Sequence, residues 1–159
     1  MNIRTTAGTV TTRTIAIIED HRHLEGPLLP ILHAIQEEFG YVPEETKQVI
    51  ATALNLSRAE VHGVVSFYHD FRERPAGRHV LKLCRAEACQ SMGGSQIAEK
   101  IKGMLGIDFH ETAADGSVTL EPVFCLGLCA SAPAAMLDDD LHGRLDEHCL
   151  GELLAEARR

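Results

Sequence analysis

Apolar residues recur at helical spacing through the first half of the chain, then gather into short strand-like runs beyond residue 77. Leu28, Ile31, Leu32, Ile35 and Phe39 fall on one face of a 3.6-residue period, which predicts a helix over 27–39. Gly40 stops it. Pro43 is predicted at a first helical position, with Glu44 and Glu45 in the first turn, where carboxylates suit the positive end of the dipole. Val49, Ile50, Ala53 and Leu54 are the apolar face expected of that helix. Ser57 with Glu60 three residues on reads as a capping box, opening a helix that carries Val61, Val64 and Val65. A shorter helix is expected over 13–23, with Ile15, Ile18 and Leu24 on one side and Gly26-Pro27 breaking it. Residues 14–66 thus read as a bundle of three or four short helices, and 1–12, rich in Thr, as a flexible tail. The run 67–77 turns from aromatic to charged and ends in Pro and Gly. It reads as a linker whose Phe67, Tyr68 and Phe71 pack to both sides.

The second half opens with a strand over 79–83, with Cys84 at its end. A helix follows, with Ile97, Ile101, Met104 and Leu105 on one face and Gly106 at its end. A short extended piece is expected over 107–109, and Asp115-Gly116 marks a turn. Residues 118–124 read as a strand, and 134–137 with 141–145 as a hairpin around the acidic turn 138–140. Asp146 caps a last helix bearing Cys149, Leu150, Leu153, Leu154 and Ala157. The expected organisation is a tail (1–12), a helical bundle with its linker (13–77), and a mixed α/β domain (78–159).

Composition narrows the function classes. Apolar residues make up 45% of the 159, enough for a buried core. The formal charge of −8 repels a phosphate backbone, and aromatics at 4% offer few stacking platforms, so nucleic acid is not an expected partner. No apolar run approaches the ~20 residues that span a bilayer, so no direct membrane insertion is expected. The first dozen residues have no apolar segment of the kind secretory signals carry. A cytoplasmic location is expected, where thiols stay reduced.

Those thiols are the chemistry-bearing feature. Four of the five cysteines form two short loops, Cys84-x4-Cys89 and Cys125-x3-Cys129, separated by residues 90–124. Four thiolates can hold one tetrahedral zinc or one iron–sulfur cluster. Zinc sites favour tight C-x2-C knuckles, whereas a two-iron cluster is wider and takes one pair of sulfurs per iron. Spacing alone leaves cluster, zinc and redox disulfide open.

The surrounding residues carry a resemblance. The pieces LCRAEACQSMGG and VFCLGLCASAP resemble the thioredoxin-like [2Fe–2S] ferredoxin family, and the likeness extends upstream to HAIQEEFGYVPEE and EVHGVVSFYHDFRERPAG, covering roughly 28–157. That family includes the small cluster subunits of the complex I NADH-dehydrogenase module, of NAD-reducing hydrogenases and of NAD-dependent formate dehydrogenases. Arg85-Ala86-Glu87-Ala88 and the following Gln90-Ser91-Met92-Gly93 look most like the formate dehydrogenase gamma subunits. The resemblance implies an α+β fold, an N-terminal three- or four-helix bundle followed by a thioredoxin-like domain. It implies one [2Fe–2S] cluster, with Cys84 and Cys89 on one iron and Cys125 and Cys129 on the other. It also implies a partner subunit carrying FMN and the NAD(H) site, with further iron–sulfur and molybdenum-containing subunits that oxidise formate to CO2. Equivalent subunits of complex I or of a hydrogenase are the close alternatives; a thioredoxin-like thiol enzyme and a zinc module are the remoter ones.

Other residues add detail. Cys89 is expected just ahead of a helix, whose free amides would favour thiolate, and backbone N–H groups are expected to point at the sulfurs. Gly127 suits a left-handed turn between two ligands, and Ala130, Ser131 and Ala132 leave room for a cluster. Arg85 and Glu87 read equally as partner contacts or as solvated loop charges. Cys149 reads as core. The histidines, His21 with His23 and His62 with His69 included, read as surface or half-buried residues. Glu37-Glu38 and Glu44-Glu45 read as solvated helix surface, and no catalytic triad, Rossmann or P-loop motif is present.

Overall fold

A computed structural model describes residues 7–158, which divide into two units, one ending at Pro75 and one beginning at Ala76. The first is helical: α1 (Ala7–His21), α2 (Leu28–Phe39), α3 (Glu44–Leu54) and α4 (Arg58–Phe67). Its core gathers Ile18, Ile31, Leu32, Ile35, Ile50 and Val61, all nearly inaccessible. Local signals hold where they were strongest. Gly40 ends α2 in the left-handed region at φ 79°, a conformation that costs glycine nothing. Ser57 and Glu60 form the reciprocal capping box: Glu60 N–H donates to the Ser57 hydroxyl, and Ser57 N–H to the Glu60 carboxylate.

Several boundaries and faces differ from the sequence reading. Helix α1 begins at Ala7, so 7–12 are helical rather than tail; the rest of the expected tail, 1–6, lies outside the described residues. Val10, Thr14, Ile17 and Ile18 face its core, while Ile15 and Leu24 are exposed. The Thr14 hydroxyl donates to the Val10 carbonyl and the Thr12 hydroxyl to Gly8, which lets threonine sit inside a helix. Pro43 is the cap residue, one position before the first helical turn.

In α3 the buried face is Thr46, Lys47, Ile50 and Ala51, and Ala53 is exposed. Lys47 has a wholly buried side chain. Its ammonium meets Glu44 (2.7 Å) and Glu73, and lies 3.2 Å from His62 Nδ1. Burial alone would depress its pKa, but the two carboxylates outweigh that and raise it. Glu44 also meets Arg58, and Lys47 and Arg58 together hold its pKa down to about 2. Glu44 is therefore a paired residue and not merely solvated surface.

The expected linker is in large part anchored. Gln36 donates to Asp70 O and accepts from Arg72 N–H, both at 2.7 Å, and Val42 N–H donates to Arg72 O. Phe71 is buried against His33, ring centroids 4.9 Å apart, whereas Phe67 ends α4 and is exposed along with Tyr68.

The second unit is a five-stranded sheet in the order β2-β3-β1-β4-β5. The strands are β1 (His79–Cys84), β2 (Glu111–Thr112), β3 (Val118–Val123), β4 (Ala135–Leu137) and β5 (Asp140–His142). A single helical turn, α5 (Glu87–Cys89), leads through a wide turn over 90–94 into α6 (Ser95–Leu105), and α7 (Glu147–Ala157) closes the unit. Leu81 of β1 lies opposite Leu120 on one side and Leu137 on the other, so one sheet face is a continuous apolar row. It packs with Ile97 and Ile101 of α6 and with Leu150 and Leu154 of α7. Asp146 caps α7, accepting from Cys149 N–H at 2.8 Å. Met104 is exposed, not part of the α6 face, and the expected extended piece over 107–109 gives way to β2 two residues later. The acidic turn is tighter than read, since Asp140 already belongs to β5.

Candidate metal centre

Sheet topology brings the two cysteine loops together. β1 and β3 are parallel, with Cys84 in register with Val123, so both strands end at the same edge. β4 is antiparallel to β1, with Leu83 opposite Ala135, so it starts at that edge. The first loop leaves the end of β1. The second runs from the end of β3 to the start of β4. Cys84 N–H donates to Ala134 O (3.0 Å) and Arg85 N–H to Val123 O (2.7 Å), binding the first loop to both ends of the second. Ligand sites gather at the carboxyl ends of parallel strands for this reason.

The four thiols stand there as two close pairs. Cys84 and Cys89 are buried, packed with Ala134 and near enough for the Cys84 thiol to act on Cys89. Cys125 and Cys129 are exposed, their sulfurs 3.7 Å apart. The pairs also feel each other, since Cys129 acts electrostatically on Cys89, and Cys84 on Cys129. Among the described residues no three His, Cys, Asp or Glu side chains are gathered for a single metal ion. Two neighbouring pairs offer each iron of a two-iron cluster its own pair of sulfurs.

Backbone geometry favours bound thiolate. Gly127 lies at φ 77°, and its N–H donates to Cys125 Sγ at 3.3 Å, the amide-to-sulfur contact expected of a cluster loop. Cys125 itself sits at φ 146°, in the region that a residue with a Cβ seldom adopts. Burial, then the neighbouring Cys84 thiol, pushes the Cys89 pKa up; the Cys125 thiol does the same to Cys129. A thiol nucleophile needs the opposite shift. Four thiols gathered at one sheet edge, with an amide donor on one sulfur, are a donor set that fits a cluster.

Cys89 is placed differently from the expectation. It closes the short turn α5, and α6 begins only at Ser95, after Gly93 at φ 90°. The free N-terminal amides of α6 are therefore not at Cys89. Cys149 is half-buried rather than core, and the charges acting on it are Asp146 and Glu152.

Two glycines that sequence reasoning passed over support the loops. A Cβ on Gly94 would lie 2.6 Å from the Cys89 carbonyl oxygen. A Cβ on Gly143 would lie 2.9 Å from the Ser131 Cβ and carbonyl oxygen. The Gly93-Gly94 pair just after the first loop was the available signal for one of them. Ser131 and Ala132 are half-buried and Ala130 exposed.

Comparison with known proteins gives the family. The family model described as thioredoxin-like [2Fe-2S] ferredoxin matches residues 14–158. An NADH-quinone oxidoreductase subunit of Pseudomonas aeruginosa is 35% identical over 146 residues, covering 90% of this chain and 88% of that protein. The NADP-reducing hydrogenase subunit HndA of Solidesulfovibrio fructosivorans is 33% identical over 142 residues, covering 89% and 83%. The crystal structure of an air-oxidised NAD+-reducing [NiFe]-hydrogenase shares the fold over 82% of this chain, with a TM-score of 0.69 and 23% identity. This chain spans only 22% of that hydrogenase chain's length. The chain belongs to the thioredoxin-like [2Fe–2S] ferredoxin family, and its cofactor is a [2Fe–2S] cluster.

Proposed function

We propose that this chain is the one-electron carrier subunit of a multisubunit NAD(P)-linked oxidoreductase. Cys84 and Cys89 hold one iron of the cluster, and Cys125 and Cys129 the other. The observation that carries this reading is the arrangement of four thiols as two adjacent pairs at one sheet edge. Relatives named as NADH- and NADP-linked subunits, matched over most of their length, support it. When bound, such a cluster stores and returns one electron at a time, which lets a flavin convert between hydride and single electrons. The chain's own residues prepare the place. Burial keeps water from the Cys84–Cys89 pair, Gly127 N–H offsets charge on the Cys125 sulfur, and the exposed Cys125–Cys129 loop presents the site to a partner.

The partner is then a subunit holding FMN and the NAD(H) site. The finer reading is an NAD-dependent formate dehydrogenase, with further iron–sulfur and molybdenum-containing subunits. Its support is the first-loop sequence, Arg85 to Ala88 and Gln90 to Gly93. The names of the relatives favour the second reading, a complex I or hydrogenase subunit. Among the described residues no helix is long and apolar enough to cross a membrane. A cytoplasmic assembly is the location this reading takes.

Anaerobic purification from the native host tests both levels. A brown chain with a one-electron EPR signal on dithionite reduction, near one per chain, is the result expected. A colourless chain with one zinc and no sulfide would refute the class. Formate-dependent NAD+ reduction with a co-purifying molybdenum subunit is expected for the finer reading. Quinone-reducing or hydrogen-oxidising partners would replace it with the second.

A further inference from the structure

Exposed loops are where a chain ordinarily keeps its charged residues, yet the loop of the exposed cysteine pair has none. Residues 122–137 hold no Asp, Glu, Lys, Arg or His, the longest such run in a chain that is 24% charged. Burial does not explain the whole run, because Phe124, Cys125, Gly127, Cys129 and Ala130 are all exposed. Leu126 and Leu128 pack against the buried cluster of Cys84, Cys89 and Ala134, so the loop meets its packing needs without Phe124. Phe124 is the residue just before Cys125, and 68% of it is exposed. The first loop continues the pattern: residues 88–98 are uncharged, and Met92 in the wide turn is exposed.

Two exposed charges of opposite sign border this surface. Glu87 lies in the first loop, and Arg144 donates its backbone N–H to Ser131 O at 2.6 Å. Arg85 is half-buried, its guanidinium engaged by the Gly94 carbonyl at 3.4 Å and set over the Phe109 ring. An uncharged centre that exposes an aromatic residue and a methionine, with charge at its edge, has the composition of an interface core and its rim.

What approaches this surface follows from the cofactor. An electron carrier must exchange with a second redox centre, and transfer slows steeply with distance. The partner therefore comes to the side where the ligands reach solvent, which is the Cys125–Cys129 pair, since Cys84 and Cys89 are buried. We propose that the charge-free face around Cys125 and Cys129, anchored by Phe124, is where the flavin-bearing partner exchanges electrons with the cluster, recognised by apolar burial rather than by charge. This rests on the reading of Cys125 and Cys129 as ligands and of the partner as the flavin subunit. The exchange is one electron: the partner's reduced flavin loses it, the oxidised cluster gains it, and no bond of this chain forms or breaks. The partner's facing surface is apolar too, because charges brought here would lose water with no opposite charge to meet. Two short loops make a small face, in the range of weak redox contacts below about 1,200 Å², so holding the assembly together falls to surface elsewhere on the chain.

The test is single-turnover reduction of the cluster by NADH in the assembled complex, read by freeze-quench EPR, with iron, sulfide, cluster potential and complex yield measured alongside. The wild-type rate is expected to change less than about twofold between low and high salt, a range over which exposed charge pairs are screened. Phe124→Ser is expected to keep its cluster, its potential and its partner, and to react roughly tenfold more slowly, the scale on which burial of one phenylalanine shifts an equilibrium. Phe124→Leu, which keeps an apolar anchor, is expected near wild type, and Ala130→Glu, which charges the face, is expected to be slow. Met104→Ser alters an exposed apolar residue near the far end of α6 and is expected to leave the rate unchanged. A wild-type rate in Phe124→Ser overturns the proposal, and so does a wild-type chain whose rate falls several-fold with salt. A slowed Phe124→Ser whose potential has dropped as well also overturns it, since driving force then explains the rate. If Phe124→Ser loses its cluster, Ala130→Glu decides: slowing supports the face, and a wild-type rate overturns it. A wild-type chain without iron fails the ligand reading, and a wild-type cluster that NADH leaves oxidised fails the partner reading; each shows before any variant is compared.

Discussion

Gly94→Ala places one methyl group against the backbone of a candidate ligand. The new Cβ would stand 2.6 Å from the Cys89 carbonyl oxygen and 2.9 Å from its carbon, well inside the ~3.5 Å at which non-bonded heavy atoms attract best. Neither atom belongs to a flexible side chain, so the turn over 90–94 must shift. Gly94 has φ −58° and ψ −26°, which alanine adopts freely, so the cost is steric and not torsional. Overpacking of this kind costs about 1–3 kcal/mol.

Gly103→Ala is the matched control. Gly103 lies within α6 with nothing within 4 Å of its Cβ position, and the change should stabilise by about 0.5–1 kcal/mol. The two variants should then differ by at least roughly 1.5 kcal/mol. At ~4–8 °C per kcal/mol for a domain of this size, their melting temperatures should differ by at least about 6 °C. Because the shift falls on Cys89, iron content should drop in Gly94→Ala and stay full in Gly103→Ala. Differential scanning calorimetry and iron analysis read the two effects separately. Equal melting temperatures with full iron in both would refute the steric argument.

Each of Cys84→Ser, Cys89→Ser, Cys125→Ser and Cys129→Ser should lower iron content and alter the reduced-state EPR signal, while Cys149→Ser leaves it intact; the ligand assignment is wrong if Cys149→Ser loses the cluster and one of the other four keeps a normal spectrum. In acid, Glu44 should contribute stability that is present above its ordinary pKa of 4.5 and is lost as pH falls through its folded value of about 2. Urea midpoints of the helical unit followed by circular dichroism should therefore decline between those values, less steeply in Glu44→Gln, and superimposable profiles would remove Glu44 from the account. A fragment over 76–159 has its own sheet and core, so it should fold and take up the cluster, yet fail to co-purify with the flavin-bearing partner. A folded fragment that stays colourless after iron–sulfur reconstitution, or one that holds the partner as tightly as the full chain, would count against this division of roles.

Features decided within a few residues were legible in the sequence. Gly40, the Ser57–Glu60 box, the Asp115-Gly116 turn and the Asp146 cap each act through one or two backbone groups close by, so residue type alone announces them. The four cysteines were equally plain, because no ordinary packing role calls for two such pairs of thiols.

Features that depend on distant partners were not. The threonine-rich start of α1 reads as a tail until Val10 and Thr14 find a core to enter. Nothing beside Lys47 in the sequence announces its burial, and Glu73, 26 residues away, pairs with it in the interior. The two residues of β2 are exposed and carry no apolar signal, and they form a strand because β3 offers them a ladder. Spacing could name the cysteines but not pair them across space. That took a parallel β1–β3 and an antiparallel β4, which end and begin at one sheet edge. Tertiary structure also buried one pair and exposed the other, and it turned Arg85 inward over Gly94. Burial and charge placement are set by what the rest of the chain brings alongside, and that is a property of the fold, not of any short stretch of it.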